Sequence, residues 1–225
     1  MSDILIDARS LSRSYLQGES SIAVVASATF RLRARDRVAL VGRSGSGKST
    51  LMHLMAGLDV PSSGAISWSA LGPAETLLPA KISLVFQAQS LLEPMTVSEN
   101  VALPLLLAKS TVDIDAAVSA ALATFGLESL SRKLPEELSG GQMQRVAMAR
   151  AIVGNPSVIL ADEPTGQLDQ PTGHALLDAL LAHLDGTNTA LVIATHDPSI
   201  AARMNTIWRI ERGVLVESSG TLEEA

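Results

Sequence analysis

Val38-Ala39-Leu40-Val41-Gly42-Arg43-Ser44-Gly45-Ser46-Gly47-Lys48-Ser49 decides how this chain folds. Four apolar residues make a short buried strand that runs straight into a glycine-rich loop, and Gly42 to Ser49 meets every fixed position of G-x-x-x-x-G-K-[ST]. Leu51, Met52, Leu54, Met55 and Leu58 then recur at helical spacing, with Gly57 as the end. Strand, loop and helix in that order are the context such a loop requires. Glycine permits positive φ, so several N–H groups can turn inward around a phosphate, and the helix points its positive end at the same place. Lys48 is placed to bridge β- and γ-phosphates and Ser49 to ligate Mg²⁺, with Arg43, Ser44, Gly45, Ser46, Gly47 and Thr50 completing the cradle. A nucleoside triphosphate is the implied ligand.

Around this loop, 225 residues suffice for one large α/β domain carrying an inserted subdomain. A 47% hydrophobic and 18% charged composition is globular, and a net charge of −6 excludes a general nucleic-acid binder, which needs a basic face. The absence of cysteine excludes disulfides and thiolate metal sites and fits a reducing compartment. Met1 to Asp7 carries acidic residues where a secretory signal needs basic ones. The most apolar tract, Val101 to Ala108, is far short of the ~20 residues that span a bilayer, so membrane contact is expected only through another chain.

Alternating apolar residues predict strands over Ile4 to Tyr15 and Ser21 to Leu32, separated by Gln17-Gly18-Glu19. Ser98 to Phe125 reads as helix interrupted at Pro104 and around Ser110, with Ile114, Ala117, Val118, Ala121, Leu122 and Phe125 on one face. This begins an expected helical subdomain, about residues 88–155, inserted into a catalytic core of about residues 1–87 and 156–217. Strand and helix then alternate through Val158 to Ala161, Pro171 to Leu184, Ala190 to Thr195 and a helix after Asp197. Thr206 to Glu211 and Val214 to Val216 flank Arg212-Gly213 as a hairpin, and residues 218–225 read as a loose tail.

Other candidates sit at strand ends. Val158 to Ala161 is an apolar run closed by Asp162 and Glu163, and ligands gather at the C-terminal ends of parallel strands. Asp162 is then placed to hold Mg²⁺ through water, and Glu163 to orient and deprotonate an attacking water. His196, after Ala190 to Thr195, could contact a γ-phosphate, although a lone histidine is more often structural. Gln87 ends the strand Ile82 to Phe86 and could reach Mg²⁺ or the attacking water, or be a plain polar terminus. Tyr15, the one tyrosine, could stack on a purine or simply pack its strand.

Taken together, Gly42 to Ser49, Gln87, Leu138-Ser139-Gly140-Gly141-Gln142, Asp162-Glu163, Leu168-Asp169 and His196 stand in the order found in ATP-binding-cassette ATPases, and the chain resembles that family along essentially its whole length. The resemblance implies a P-loop α/β fold: a mixed-sheet core, an N-terminal antiparallel β subdomain and an inserted α-helical subdomain. It implies hydrolysis of ATP with Mg²⁺. Tyr15 resembles the adenine-stacking aromatic, Gln87 the glutamine linking the γ-phosphate to the partner-contact region, and His196 the switch histidine. Asp169 resembles the residue that meets the opposite subunit. In such proteins two cassettes pack head to tail, so Ser139, Gly140, Gly141 and Gln142 face the γ-phosphate held by the other copy, here expected to be an identical chain. A transmembrane permease is the further expected partner, contacted near Ala88 to Val97, with the ATPase at the cytoplasmic face of the membrane.

His53 to Asp59 followed by Pro61-Ser62-Ser63-Gly64, together with Glu99 to Pro104, resembles the lipoprotein-release and macrolide-export branch. Lys133-Leu134-Pro135-Glu136-Glu137 resembles stand-alone cassettes. Asp36-Arg37, Glu93-Pro94, Gln167 and a shortened stretch from Gly64 to Gln87 depart from the branch's pattern, the first at a turn and the second at the expected permease contact. A mechanical or regulatory ATPase that controls a membrane protein without moving solute is the alternative. A soluble cassette acting on DNA or ribosomes is disfavoured, because no second cassette or coiled-coil insertion is present.

Overall fold

The computed structural model describes residues 3–18, 20–87 and 90–218. Among these, nine strands form one sheet: β1 Ile4–Gln17, β2 Ser20–Arg33, β3 Arg37–Val41, β4 Ser63–Ser67, β5 Ile82–Val85, β6 Val158–Asp162, β7 Ala190–Thr195, β8 Thr206–Glu211 and β9 Val214–Ser218. Their spatial order is β4-β1-β2-β9-β8-β3-β7-β6-β5. Strands β8, β3, β7, β6 and β5 run parallel, while β4, β1 and β2 form an antiparallel wing. The wing joins through the pairing of Ser27 with Val214. This is the mixed P-loop α/β sheet expected.

The α-helices among the described residues are α1 Lys48–Met55, α2 Val97–Leu107, α3 Ile114–Thr124, α4 Gly140–Ile152, α5 Gln170–Leu184 and α6 Pro198–Ala201. The central strands are apolar on both faces because both faces are covered. Ala39, Ile159, Ala161, Leu191 and Ile193 pack toward the core built with α2 to α6. Val38, Leu40, Val158, Leu160 and Val192 pack toward the core built with α1, β1 and β2. The two-residue period of a strand thus divides one run between two cores. At this sheet's C-terminal edge the backbone must leave both, and there the functional groups emerge.

Three local expectations need correction. Pro104 lies inside α2 without interrupting it, since Val101 and Leu105 are buried on either side of it and hold the helix to its core; the break falls at 108–113. Strand β5 stops at Val85, leaving Phe86 and Gln87 beyond it. Strand β4 was not foreseen, because its largely exposed residues show no alternation; its edge pairing with β1 makes it a strand. The departure at Asp36-Arg37 forms a pinned turn: Asp36 accepts from the Arg33 amide at 2.7 Å, and the Arg37 guanidinium donates to the carbonyls of Thr189 (2.6 Å) and Leu184 (3.0 Å). Of the expected loose tail, Ser218 ends β9 and residues 219–225 lie outside the described residues, as do Ala88 and Gln89 of the expected permease contact.

Candidate nucleotide-binding site

The loop from Gly42 to Gly47 joins β3 to α1, and its shape leaves no room for side chains at two glycines. A Cβ on Gly42 would lie 2.6 Å from the Ile210 carbonyl oxygen, and one on Gly47 2.5 Å from that of Val24. Gly47 also has φ 105° and caps α1 with no side chain, so nothing of its own satisfies the N–H groups of the first turn. Those donors are the ones an anion would take.

Lys48 is buried, with its ammonium donating to the carbonyls of Gly42 (2.9 Å) and Arg43 (3.3 Å). The same Nζ lies 3.7 Å from Glu163 Oε1. Glu163 sits just past β6 with φ 46°, a conformation that an ordinary residue adopts at some cost and that is held here by its N–H donating to the Ala194 carbonyl at 2.9 Å. His196 Nδ1 lies 3.2 Å from Glu163 Oε2, and Gln87 Nε2 donates to that oxygen at a long 3.4 Å. The Glu163 carboxylate, itself just past β6, therefore gathers side chains from beyond the ends of β5 and β7 and from the start of α1. The cleft they line, of about 660 Å³, also takes in Val24, Arg43, Ser44, Gly45, Gly47, Ser49 and Thr50. A second cleft between α2 and α3 is lined by Glu99, Asp115 and Glu128, whose charges repel a triphosphate.

Asp162 ends β6 buried, and its carboxylate has no side-chain partner among the described residues. With the Ser49 hydroxyl and the Gln87 amide oxygen it supplies hard oxygen donors, which suit Mg²⁺. No group of three or more His, Cys, Asp or Glu able to hold a metal occurs among the described residues.

Asp162 is not among the residues that line this cleft, Gly42 and Ser46 line an adjoining one beside Arg209 and Ile210, and the remaining expected residues lie elsewhere. Ser139 caps α4: its hydroxyl accepts from the Gln142 N–H (3.3 Å), and Gln142 Oε1 accepts from the Ser139 N–H (2.8 Å). Gly140 and Gly141 open that helix without touching the cleft. Asp169 caps α5 by accepting from the N–H and hydroxyl of Thr172 (both 2.9 Å), bonds that hold its carboxyl below the ordinary carboxylate range. Tyr15 is tied to Asp59 and covered by Arg13. Nothing in the local sequence marks Val24, Arg13 or Asp59 as part of such a site. Val24 acts through its backbone, which side-chain chemistry cannot reveal, and Arg13 and Asp59 meet across 46 positions.

The strand-loop-helix cradle after β3 and the carboxylate at the end of β6, two strands along the sheet, define a P-loop nucleotide hydrolase. Residues 25–166 match the family described as "ABC transporter", and the chain belongs to that family. Among curated relatives it is 40% identical to the lipoprotein-releasing system ATP-binding protein LolD of Hydrogenovibrio crunogenus, over 99% of this chain and 100% of that one. It is 41% identical to the proteins of the same name from Legionella pneumophila strain Lens (96% and 98% covered) and Pseudomonas syringae pv. tomato (97% and 100%). Among solved structures it is similar to a dimeric ATP-binding cassette in a post-hydrolysis state bound to ADP and Pi, with TM-score 0.87 and 30% identity over 95% of this chain and 98% of that one. It is also similar to a dimeric bacterial ABC transporter cassette, with TM-score 0.84 and 32% identity over the same shares. The protein is an ATP-hydrolysing nucleotide-binding subunit of an ABC transporter and uses ATP with Mg²⁺. No helix among the described residues is long and apolar enough to cross a membrane.

Proposed function

We propose that two copies of this chain close head to tail around two ATP molecules and drive a separate transmembrane permease of the lipoprotein-release type. The observation that carries the catalytic half of this reading is the Glu163 carboxylate, within reach of Lys48, His196 and Gln87 at the mouth of the phosphate cradle. Lys48 and the N–H groups of the loop bind the phosphates, Tyr15 stacks the base, and Ser49, Asp162 and Gln87 hold Mg²⁺. When bound, that ion neutralises charge on the β- and γ-phosphate oxygens. Glu163 takes the proton of the attacking water as the water oxygen bonds to the γ-phosphorus and the bond to the β–γ bridging oxygen breaks, giving ADP and phosphate. His196 supports the γ-phosphate. Ser139 to Gln142 supply the second cradle to the opposite copy, and Asp169 meets that copy beside it.

The partner half of the reading draws on the names of the relatives, which are ATP-binding proteins of lipoprotein-releasing systems. The helical region of about residues 88–155 would face the permease at the membrane's cytoplasmic side. Its segment from Ser90 to Thr96 is well fastened. The Arg150 guanidinium donates to the Ser90 carbonyl (2.9 Å) and hydroxyl (2.6 Å), and the buried Asn100 bonds the backbone of Leu92, Met95 and Thr96. A segment anchored at both ends can pass force rather than absorb it. Co-purification in detergent of a permease whose presence stimulates ATP hydrolysis tests this reading; a chain that hydrolyses ATP but recovers no membrane protein from its own cells sinks it.

A further inference from the structure

Three side chains near the start of the chain form a closed group that the catalytic centre does not use. The Tyr15 hydroxyl donates to Asp59 Oδ2 at 2.6 Å. Arg13 grips the same carboxylate with Nε on Oδ2 (2.9 Å) and a terminal nitrogen on Oδ1 (2.7 Å). Its guanidinium carbon lies 4.5 Å from the centroid of the Tyr15 ring. Arg13 and Tyr15, two residues apart on β1, share a strand face, while Asp59 lies just beyond α1 and also accepts from the Val60 N–H at 2.8 Å. Burial pushes the Asp59 carboxyl up, but the hydrogen bonds from Tyr15, Val60 and Arg13 outweigh it and leave the group below its ordinary range, hence charged at neutral pH.

The group does not line the nucleotide cleft itself but stands beside it, on the strand paired to the one that does. Tyr15 pairs with Ile22, two residues before Val24, which lines the cleft and whose carbonyl abuts Gly47. Asp59 follows the C-terminal end of α1, the helix whose first turn borders the phosphate loop. Tyr15 nevertheless remains 40% exposed. With its hydroxyl engaged and Arg13 over the ring, its accessible surface is that of an immobilised aromatic plane.

We infer that Arg13 and Asp59 are positioning residues that lock the Tyr15 ring as a one-sided platform for the base of the nucleotide. The inference rests on the reading of Tyr15 as the base-stacking residue and adds what holds it. A ring ordered before the ligand arrives loses less side-chain entropy on binding, and a cation already seated on it leaves one direction of approach. The phosphates bind elsewhere, so the lock concerns the base alone.

The test compares Mg-ATP with Mg-tripolyphosphate, which has no base, by calorimetric titration of the full chain. Tyr15→Ala is expected to weaken ATP roughly five- to a hundredfold, the range of one base stack, and to leave tripolyphosphate unchanged. Asp59→Asn, Arg13→Met and Tyr15→Phe are each expected to weaken ATP about three- to tenfold, the worth of a side-chain hydrogen bond, again sparing tripolyphosphate, and to raise KM while kcat holds. ATP affinity unchanged in all three variants but reduced in Tyr15→Ala overturns the lock and keeps the platform. Unchanged affinity in Tyr15→Ala itself overturns the platform and the lock with it. Equal losses for ATP and tripolyphosphate in Asp59→Asn and Arg13→Met make the group a structural brace and also overturn the lock.

Discussion

Helices α1 and α4 both begin from serine and glycine, yet their first turns end up in opposite conditions. Gly47 caps α1 in the left-handed conformation and offers no side chain to the N–H groups behind it. Ser139 and Gln142 cap α4 reciprocally, so two of its terminal donors are already engaged. The first helix end is open to an anion; the second must release a cap worth about 1 kcal/mol before it can use those groups. The difference teaches where nucleotide affinity resides. On the proposed reading, a single chain would hold its triphosphate through α1, and the end of α4 would join when a second copy carrying ATP brings a charged acceptor to it.

The largest expected effect tests what the open end serves. Glu163→Gln should lower the steady-state rate of phosphate release by ~10²–10⁴ while ATP still binds and a dimer accumulates. Normal turnover in that variant would remove Glu163 from the chemistry. Next, Gly47→Ala forces a side chain into a left-handed position against the Val24 carbonyl, at a strain of about 1–3 kcal/mol. ATP affinity of the isolated chain should fall tenfold or more, measured by equilibrium titration. Ser139→Ala should cost about 1 kcal/mol of stability in denaturant unfolding through the lost cap and suppress ATP-dependent dimerisation of Glu163→Gln, yet leave the single chain's affinity for ATP as it was. Equal losses of monomer affinity in Gly47→Ala and Ser139→Ala would break the contrast.

The smallest effect concerns a third helix end. Asp169 caps α5 with a carboxylate whose hydrogen bonds from Thr172 hold its pKa below the ordinary 3.8. A group depressed on folding stabilises the native state above its unfolded value, and that contribution is lost as pH falls through the folded one. Unfolding midpoints followed downward from about pH 5 should therefore show a shallower acid decline in Asp169→Asn, which keeps a cap but cannot titrate. Identical slopes for wild type and variant would assign the acid sensitivity to other carboxylates.

Much of this site was legible beforehand because it is built from contiguous residues. Gly42 to Ser49 carries its own conformation, and Asp162 and Glu163 sit where an apolar strand runs out, so their positions followed from local rules. Pro104 was misread because a helix breaker is a local signal and the burial of Val101 and Leu105 is not. Strand β4 was missed for the same reason, since an edge strand with exposed side chains is defined by its partner β1.

By itself, then, the amino-acid sequence determined the phosphate loop, the parallel strands buried on both faces and the acidic strand end, because each depends on residues within a few positions of one another. Only the tertiary structure decided that Glu163 collects Lys48, His196 and Gln87, that the Val24 carbonyl makes glycine obligatory at position 47, and that Arg13 and Asp59 grip Tyr15. Those contacts join residues from 23 to 115 positions apart in the chain, and distances of that kind are set by how the sheet orders its strands rather than by any local pattern.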